Sequence, residues 1–229
     1  MEQKYIYVVL SKTPSKFAKM IRAFGGMTYN HASIAFDKDL KEMWAFARKM
    51  NNLPIDAGVV REYPERFTLK KEDNVPIRVY GIPVSGCQYD MIKKRVLEVH
   101  NDEDYHYNFF SMLFYPFAGG FPTDKAYTCS EFVAALLNDY TDIQMRKPCS
   151  SYVPEELHGF LEPYMMYEGN LLNYRDFEPV DSGFFDEISP LRVAGTTVTI
   201  LAVLALRSAT RARRDFREKV KNEYINHEH

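Results

Sequence analysis

Ala126-Tyr127-Thr128-Cys129-Ser130-Glu131-Phe132-Val133-Ala134-Ala135-Leu136-Leu137 sets a thiol directly ahead of an apolar-periodic helix. At a helix start, the unpaired backbone N–H groups and the positive end of the dipole favour thiolate, lowering a pKa that is about 8.5 for free cysteine. Cys129 is therefore the candidate nucleophile. A candidate base lies far upstream: His31, in Tyr29-Asn30-His31-Ala32-Ser33-Ile34-Ala35-Phe36-Asp37, opens a run that reads as a strand and turns at Asp37-Lys38-Asp39. Only the fold would bring the two side chains together.

The chain has 229 residues, 46% of them hydrophobic, enough to bury the core of one domain with appendages. A formal net charge of −2 gives no whole-chain field toward nucleic acid, so no nucleic-acid partner is expected. Three cysteines, Cys87, Cys129 and Cys149, are an odd number without repeated spacing, and Met1-Glu2-Gln3-Lys4-Tyr5 lacks the apolar core of a signal peptide. The expected setting is reducing and cytoplasmic. With no CxxC pair and no HExxH, neither a metal nor a cofactor is expected.

Along the chain, Tyr5 to Leu10 reads as a strand, and Thr13-Pro14 as the start of a helix that runs to about Phe24 and stops at Gly25-Gly26. The His31–Phe36 strand turns at Asp37–Leu40 into a second strand, Glu42–Arg48, as an antiparallel hairpin. A further strand spans Ile77–Val84, limited by Pro76 and Pro83, and a helix follows Ser85-Gly86 to His100 with Tyr89, Ile92, Val96 and Val99 as its buried stripe. The aromatic segment from Tyr105 to Phe117 is a candidate cleft wall, broken from the cysteine helix by Gly119-Gly120-Phe121-Pro122. Pro154-Glu155-Glu156-Leu157 opens another helix, and Met165–Gly169 is a final strand or turn. The globular part is expected to end near Tyr174.

The joint order of these motifs carries a resemblance. A strand, a Thr/Pro-capped helix, a strand opened by Tyr29-Asn30-His31-Ala32-Ser33-Ile34 and, much later, Tyr127-Thr128-Cys129-Ser130-Glu131-Phe132-Val133 is similar to the circularly permuted branch of the NlpC-like papain-fold superfamily, of the YiiX/YaeF type. It covers about residues 4–174. The resemblance implies an α+β fold, an antiparallel sheet packed with helices, in which the histidine strand precedes the cysteine helix. It also implies Cys129 as nucleophile, His31 as base and proton donor, and the Cys129 backbone N–H as part of the oxyanion site. A third polar residue orients the histidine from the neighbouring strand in such folds. Here the position taken to face His31 is near Ala45, which has no acceptor; Glu42, a backbone carbonyl or a water stand as alternatives. Tyr127 or Tyr115 would lend a hydroxyl to the oxyanion.

Other candidates have plain readings. Cys87 and Cys149 lack a comparable helix-start setting, His100, His106 and His158 suit solvated roles, and Glu131 in the first turn of its helix complements the dipole. Two units are expected: residues 1–178 as the papain-like domain and 179–229 as linker and apolar/basic helical tail. Val193 to Leu206 is uncharged but reaches only about 21 Å as a helix, short of a hydrocarbon core of about 30 Å. Leu201, Ala205, Ala209, Ala212, Phe216 and Val220 recur at helical spacing, so an amphipathic helix is expected, docking on the domain, on a partner in self-association or on a membrane surface.

The functional expectation is a thiol hydrolase that cleaves an amide or ester through a Cys129 acyl-enzyme with His31 as general base and acid. Its substrate would be a small-molecule, peptide or lipid acyl compound. One alternative is lipid acyl transfer, or phospholipase chemistry, of the lecithin retinol acyltransferase type, whose usual Asn-Cys-Glu-His-Phe differs from Thr128-Cys129-Ser130-Glu131-Phe132. The other is a non-catalytic binding module on the same fold.

Overall fold

A computed structural model describes residues 3–14, 28–69, 74–174, 180 and 183–227. The helix expected from Thr13-Pro14 to Phe24 lies, after Pro14, outside the described residues. Strand β1 (Gln3–Ser11) has alternate side chains feeding two different cores: Ile6, Val8 and Leu10 point to one, Tyr7 and Val9 to the other. A strand buried on both faces belongs in the middle of a sheet. Accordingly β1 pairs antiparallel with β2 (His31–Ala35) and with β5 (Pro76–Ser85).

The sheet is completed by β3 (Met43–Arg48), β4 (Ala57–Arg61) and β8 (Met165–Asn170), in the order β4-β3-β2-β1-β5-β8, every pair antiparallel. The hairpin between β2 and β3 forms where expected. Asp37 closes it by accepting from the backbone N–H groups of Lys41 (2.9 Å) and Glu42 (2.6 Å), and Leu40 takes a left-handed conformation at its tip. Strand β4 and the short helix α1 (Pro64–Thr68) were not among the expected elements.

Helix α2 (Gly86–Asn101) starts with a reciprocal cap: the Gln88 N–H donates to Ser85 Oγ at 3.2 Å, and the Ser85 N–H to Gln88 Oε1 at 2.8 Å. Its Ile92, Val96 and Val99 are buried as expected, beside Phe132, Val133, Leu136 and Leu137 of the cysteine helix, on the face of the sheet that carries Val8 and Ile34. The opposite face is closed by α1 and by α6 (Leu171–Tyr174) through Phe67 and Leu171. Each fully buried side chain of this kind contributes about 1.5–3 kcal/mol, so the sheet is held from both sides. The class is α+β.

Between α2 and the cysteine helix come β6 (His106–Tyr107), α3 (Phe109–Ala118) and β7 (Ala126–Tyr127), with β6 and β7 paired in parallel. Gly119 caps α3 at φ 66° and Gly120 follows at φ 85°; a side chain on Gly120 would collide with the Ser150 carbonyl. Helix α4 (Cys129–Tyr140) and α5 (Pro154–Leu161) follow.

The last helix, α7 (Pro190–His227), packs back on the domain. Ile200 and Leu204 are buried with Ile55 and Ala126, and Phe109, Phe110 and Leu201 join them. Arg207 Nη1 donates to the Asp104 carbonyl (2.7 Å), Ser208 meets Thr123 (3.2 Å), and Arg211 and Arg214 bind Asp124. Of the stripe expected from Leu201 to Val220, Leu201 joins the docked face, while Ala205, Ala209, Ala212 and Phe216 face outward. Arginines anchor the docked face, and a count of apolar positions does not register them. Pro190–Lys221 is, by length and composition, long and apolar enough to cross a membrane.

Candidate active site

The candidate nucleophile, Cys129, is positioned by the start of α4. Thr128 is its N-cap: Thr128 Oγ1 accepts from the Glu131 N–H, and Glu131 Oε2 accepts from the Thr128 N–H, both at 3.1 Å. Ser130 Oγ donates to the Tyr152 carbonyl at 2.6 Å, tying the same turn to the loop before α5. Phe132, one turn along, packs edge-on to Phe46 of β3, ring centroids 5.8 Å apart. Cys129 is held with little freedom, and its sulfur is buried but opens onto two clefts.

His31 is placed by the first residue of β2. Its predecessor Asn30 is buried and accepts from both the backbone N–H (3.1 Å) and the hydroxyl (2.9 Å) of Thr13, while donating to the Thr13 carbonyl (3.2 Å). That clamp fixes the chain where it enters β2. The imidazole lies in hydrogen-bonding contact with the Cys129 thiol, so the two expected site residues do meet. Phe67 packs against the ring edge, centroids 5.9 Å apart.

The partner on the far side of His31 is Glu62, a residue the sequence reading passed over. Its Oε1 lies 3.3 Å from His31 Nε2, which leaves Nδ1 for the thiol. Continuing the register of Ile34 with Trp44 and Ala35 with Met43, the β3 position opposite His31 is Ala47, and Ala45 lies opposite Ser33. Glu42 is occupied by Lys93 at 2.7 Å. Glu62 reaches the histidine from beyond the end of β4, its N–H bonded to the Met43 carbonyl at 2.8 Å. The signal for it was present: Val59-Val60 after Gly58 reads as a strand, and Pro64 starts a helix just past Glu62.

Behind Glu62 stands Arg66, buried, with Nε 3.4 Å from Glu62 Oε2. Arg66 also donates to the Arg48 carbonyl and lies 4.1 Å over the ring of Phe184, itself buried. The segment just before α7 thus contributes to the support of the site.

Electrostatics follow from this chain of contacts. Burial alone would push the His31 imidazolium down, but its hydrogen bonds to Cys129 and Glu62 outweigh that and push it up to about 10. Burial alone would raise the Cys129 thiol; the His31 contact and the N–H groups of Ala32 and Ser130 bring it below its ordinary value. Burial likewise opposes ionisation of Glu62, and Arg66 and His31 keep it low. All three groups favour a thiolate–imidazolium pair flanked by a carboxylate.

Of the tyrosines near the thiol, the one that reaches Cys129 is neither Tyr115 nor Tyr127 but Tyr107. The Tyr107 hydroxyl contacts the Cys129 sulfur and accepts from the Cys129 backbone N–H; burial and the nearby thiolate raise its pKa well above the ordinary value. Tyr115 instead donates to Glu156 (3.2 Å), and Tyr127 stacks on Tyr105 and binds Arg95. Cys87 also corrects an expectation: it sits in the first turn of α2 and is exposed, so a helix start is not special to Cys129. Among the described residues, the thiol in contact with a histidine is that of Cys129. Cys149 is half-buried, and burial lifts it to about 11. Glu131, expected to complement the helix dipole, also closes the cap with Thr128, and burial raises it to about 7.

The larger cleft, a cavity of about 310 Å³, runs from Cys129 past Met112, Leu113 and Pro116 of α3 to Tyr152 and Val153. The other runs past His31 and Glu62 to Arg48, Arg66 and Phe184. Among the described residues no cluster of three or more His, Cys, Asp or Glu forms a metal-binding group. Scans against protein-family models and searches of curated proteins and solved structures return no match to this chain.

Proposed function

We propose that the protein is a thiol hydrolase of amides or esters on a circularly permuted papain-like, NlpC-like scaffold. The observation that carries the reading is the continuous contact Cys129–His31–Glu62–Arg66, with the thiolate end open to two clefts. The order of elements is in keeping with the permuted scaffold, since the histidine strand comes first and the cysteine helix packs on that strand much later.

Chemistry follows from the charges. The Cys129 thiolate attacks the substrate carbonyl, and the negative oxygen that forms is met by the fixed Cys129 N–H and by the Tyr107 hydroxyl, whose O–H turns to it from the sulfur. His31 gives its proton to the departing amine or alcohol as the carbon–heteroatom bond breaks, leaving a thioester on Cys129 and a neutral imidazole. A water then loses its proton to His31 and attacks the thioester, releasing the acid and restoring thiolate and imidazolium. Glu62 holds the ring oriented and stabilises its charge in each half.

A second reading is lipid acyl transfer at a membrane. It is favoured by α3, which lines the larger cleft while exposing Phe114 and Phe117, and by α7, which turns Leu191, Val198, Leu206 and Phe216 outward. Membrane association through α7 belongs with this reading. Incubation with a p-nitrophenyl ester and rapid acid quench tests the common step: an acyl group on Cys129, absent from Cys129→Ala, is expected. A chain with no acyl adduct on Cys129 under any ester or amide probe would leave only a binding role. Co-sedimentation with anionic liposomes, with and without α7, separates the two enzymatic readings.

A further inference from the structure

The smaller cleft beside Cys129 carries a charge surplus that the hydrolytic step does not use. Its wall includes three cationic side chains, His31, Arg48 and Arg66, and a single carboxylate among the described residues, Glu62. Glu62 is already shared by His31 at 3.3 Å and Arg66 at 3.4 Å. The Cys129 thiolate balances one further charge, leaving one positive charge in excess. When the thiol is acylated and His31 is neutral, the excess is still one.

That excess sits on Arg48. The residue ends β3, is half-buried, and spends Nη1 on the Asn51 carbonyl at 3.0 Å, a neutral acceptor. Its guanidinium lies 5.7 Å from the Phe184 ring, which Arg66 also approaches, at 4.1 Å. Two guanidiniums therefore share one aromatic ring, and burial together with the Arg66 charge lowers the pKa of Arg48. A half-buried cation beside another cation is costly unless an anion completes it. The planar fork of a guanidinium matches carboxylate and phosphate oxygens.

We propose that this cleft binds an anionic group of the substrate, a carboxylate or phosphate, on Arg48, beside the carbonyl that Cys129 attacks. The proposal deepens the hydrolase reading and rests on it. The larger, mainly apolar cleft then takes the uncharged side of the scissile bond. The substrate class narrows to amides or esters with an acidic group on one side and an apolar group on the other.

Two alkylating agents of one size test it. Each transfers its carbon to the thiolate with loss of iodide, but iodoacetate is anionic and iodoacetamide neutral. The rate ratio of iodoacetate to iodoacetamide at Cys129 is expected to exceed that at exposed Cys87, and to fall about tenfold in Arg48→Gln, the loss of one charge-assisted hydrogen bond. A ratio unchanged by Arg48→Gln would overturn the proposal while leaving the hydrolase reading intact. Iodoacetamide labelling of Cys129 no faster than of Cys87 would count against the hydrolase reading instead.

A second measurement does not need the thiol. In Cys129→Ala, the Arg48 Nε–H resonance, assigned by its loss in Arg48→Gln, is followed while acetate or inorganic phosphate is titrated in. Saturable movement with one anion supports the site and says which oxyanion it prefers. No movement with either overturns it, whatever the alkylation rates.

Discussion

Two of the ionic clusters in this protein differ in depth, and the tighter-looking one matters less. On the surface, Arg211 and Arg214 of α7 meet Asp124 at 2.9 and 3.0 Å, with the aspartate 40% exposed. Under the candidate site, His31, Glu62 and Arg66 are spaced at 3.3 and 3.4 Å, with Glu62 only 4% exposed. Distance favours the surface cluster; dielectric favours the buried one. Exposed pairs are screened and contribute up to about 1 kcal/mol, whereas breaking a buried pair costs about 3–5 kcal/mol because a desolvated charge is left behind. The buried cluster is thus where structure and chemistry are coupled.

The sharpest break of that comparison is at the reacting atoms. Cys129→Ala and His31→Ala are each expected to lower kcat/KM by about 10⁴-fold or more, with the double variant no worse than either single, since the pair acts as a unit. Steady-state hydrolysis, with far-UV circular dichroism to confirm folding, measures it. Additive losses would mean that the two residues work separately.

Next comes Glu62. Glu62→Ala is expected to destabilise the fold by about 3–5 kcal/mol, read from urea denaturation, because Arg66 and His31 lose their shared carboxylate. Glu62→Gln keeps the shape and tests the electrostatics through pH. His31 is raised to about 10, so its contribution to stability is fully present below its unfolded value near 6.5 and is lost as pH rises toward 10. Glu62 is depressed, so its contribution is present above its unfolded value near 4.3 and is lost as pH falls below that. The alkaline limb of kcat/KM is likewise expected near pH 10, where His31 loses the proton it must donate. In Glu62→Gln that limb moves to lower pH. A limb that stays in place would remove Glu62 from the relay.

Tyr107→Phe comes third. Loss of one oxyanion donor is expected to lower kcat about 10²-fold with little change in KM, because the hydroxyl turns from the sulfur to the substrate oxygen only as charge develops there. A change confined to KM would make Tyr107 part of the cleft wall instead.

The contrast between the clusters also explains what the amino-acid order revealed. Cys129 and His31 were legible because each marks a local boundary, a helix start and a strand start, and the fold brings the two together. The β1, β2, β3 and β5 strands were legible through their apolar runs. Glu62 was not, because its role depends on β4 pairing with β3, and no spacing from His31 encodes that contact. Tyr107 was hidden among many tyrosines, two of which, Tyr115 and Tyr127, proved to serve other partners. Cys87 shows the converse: a helix start identifies a thiol that a dipole favours, but only tertiary contact supplies its base. The docked face of α7 was not legible because Arg207 and Arg211, polar in composition, act as its anchors.

Those anchors carry the smallest expected effect. Asp124→Asn removes the carboxylate that Arg211 and Arg214 share, at a site open to solvent, and is expected to cost less than about 1 kcal/mol, shrinking further as salt is raised. The docking of α7 should survive, because Ile200 and Leu204 remain buried against Ile55 and Ala126. Each buried side chain of that size contributes about 1.5–3 kcal/mol, more than the surface charges together. Leu204→Ala is therefore the variant that should loosen α7, and Asp124→Asn the one that should not. Hydrogen exchange of the α7 amides near residue 204, in both variants at low and high salt, distinguishes them. Faster exchange in Asp124→Asn than in Leu204→Ala would reverse the ranking and place the attachment of α7 in its charges.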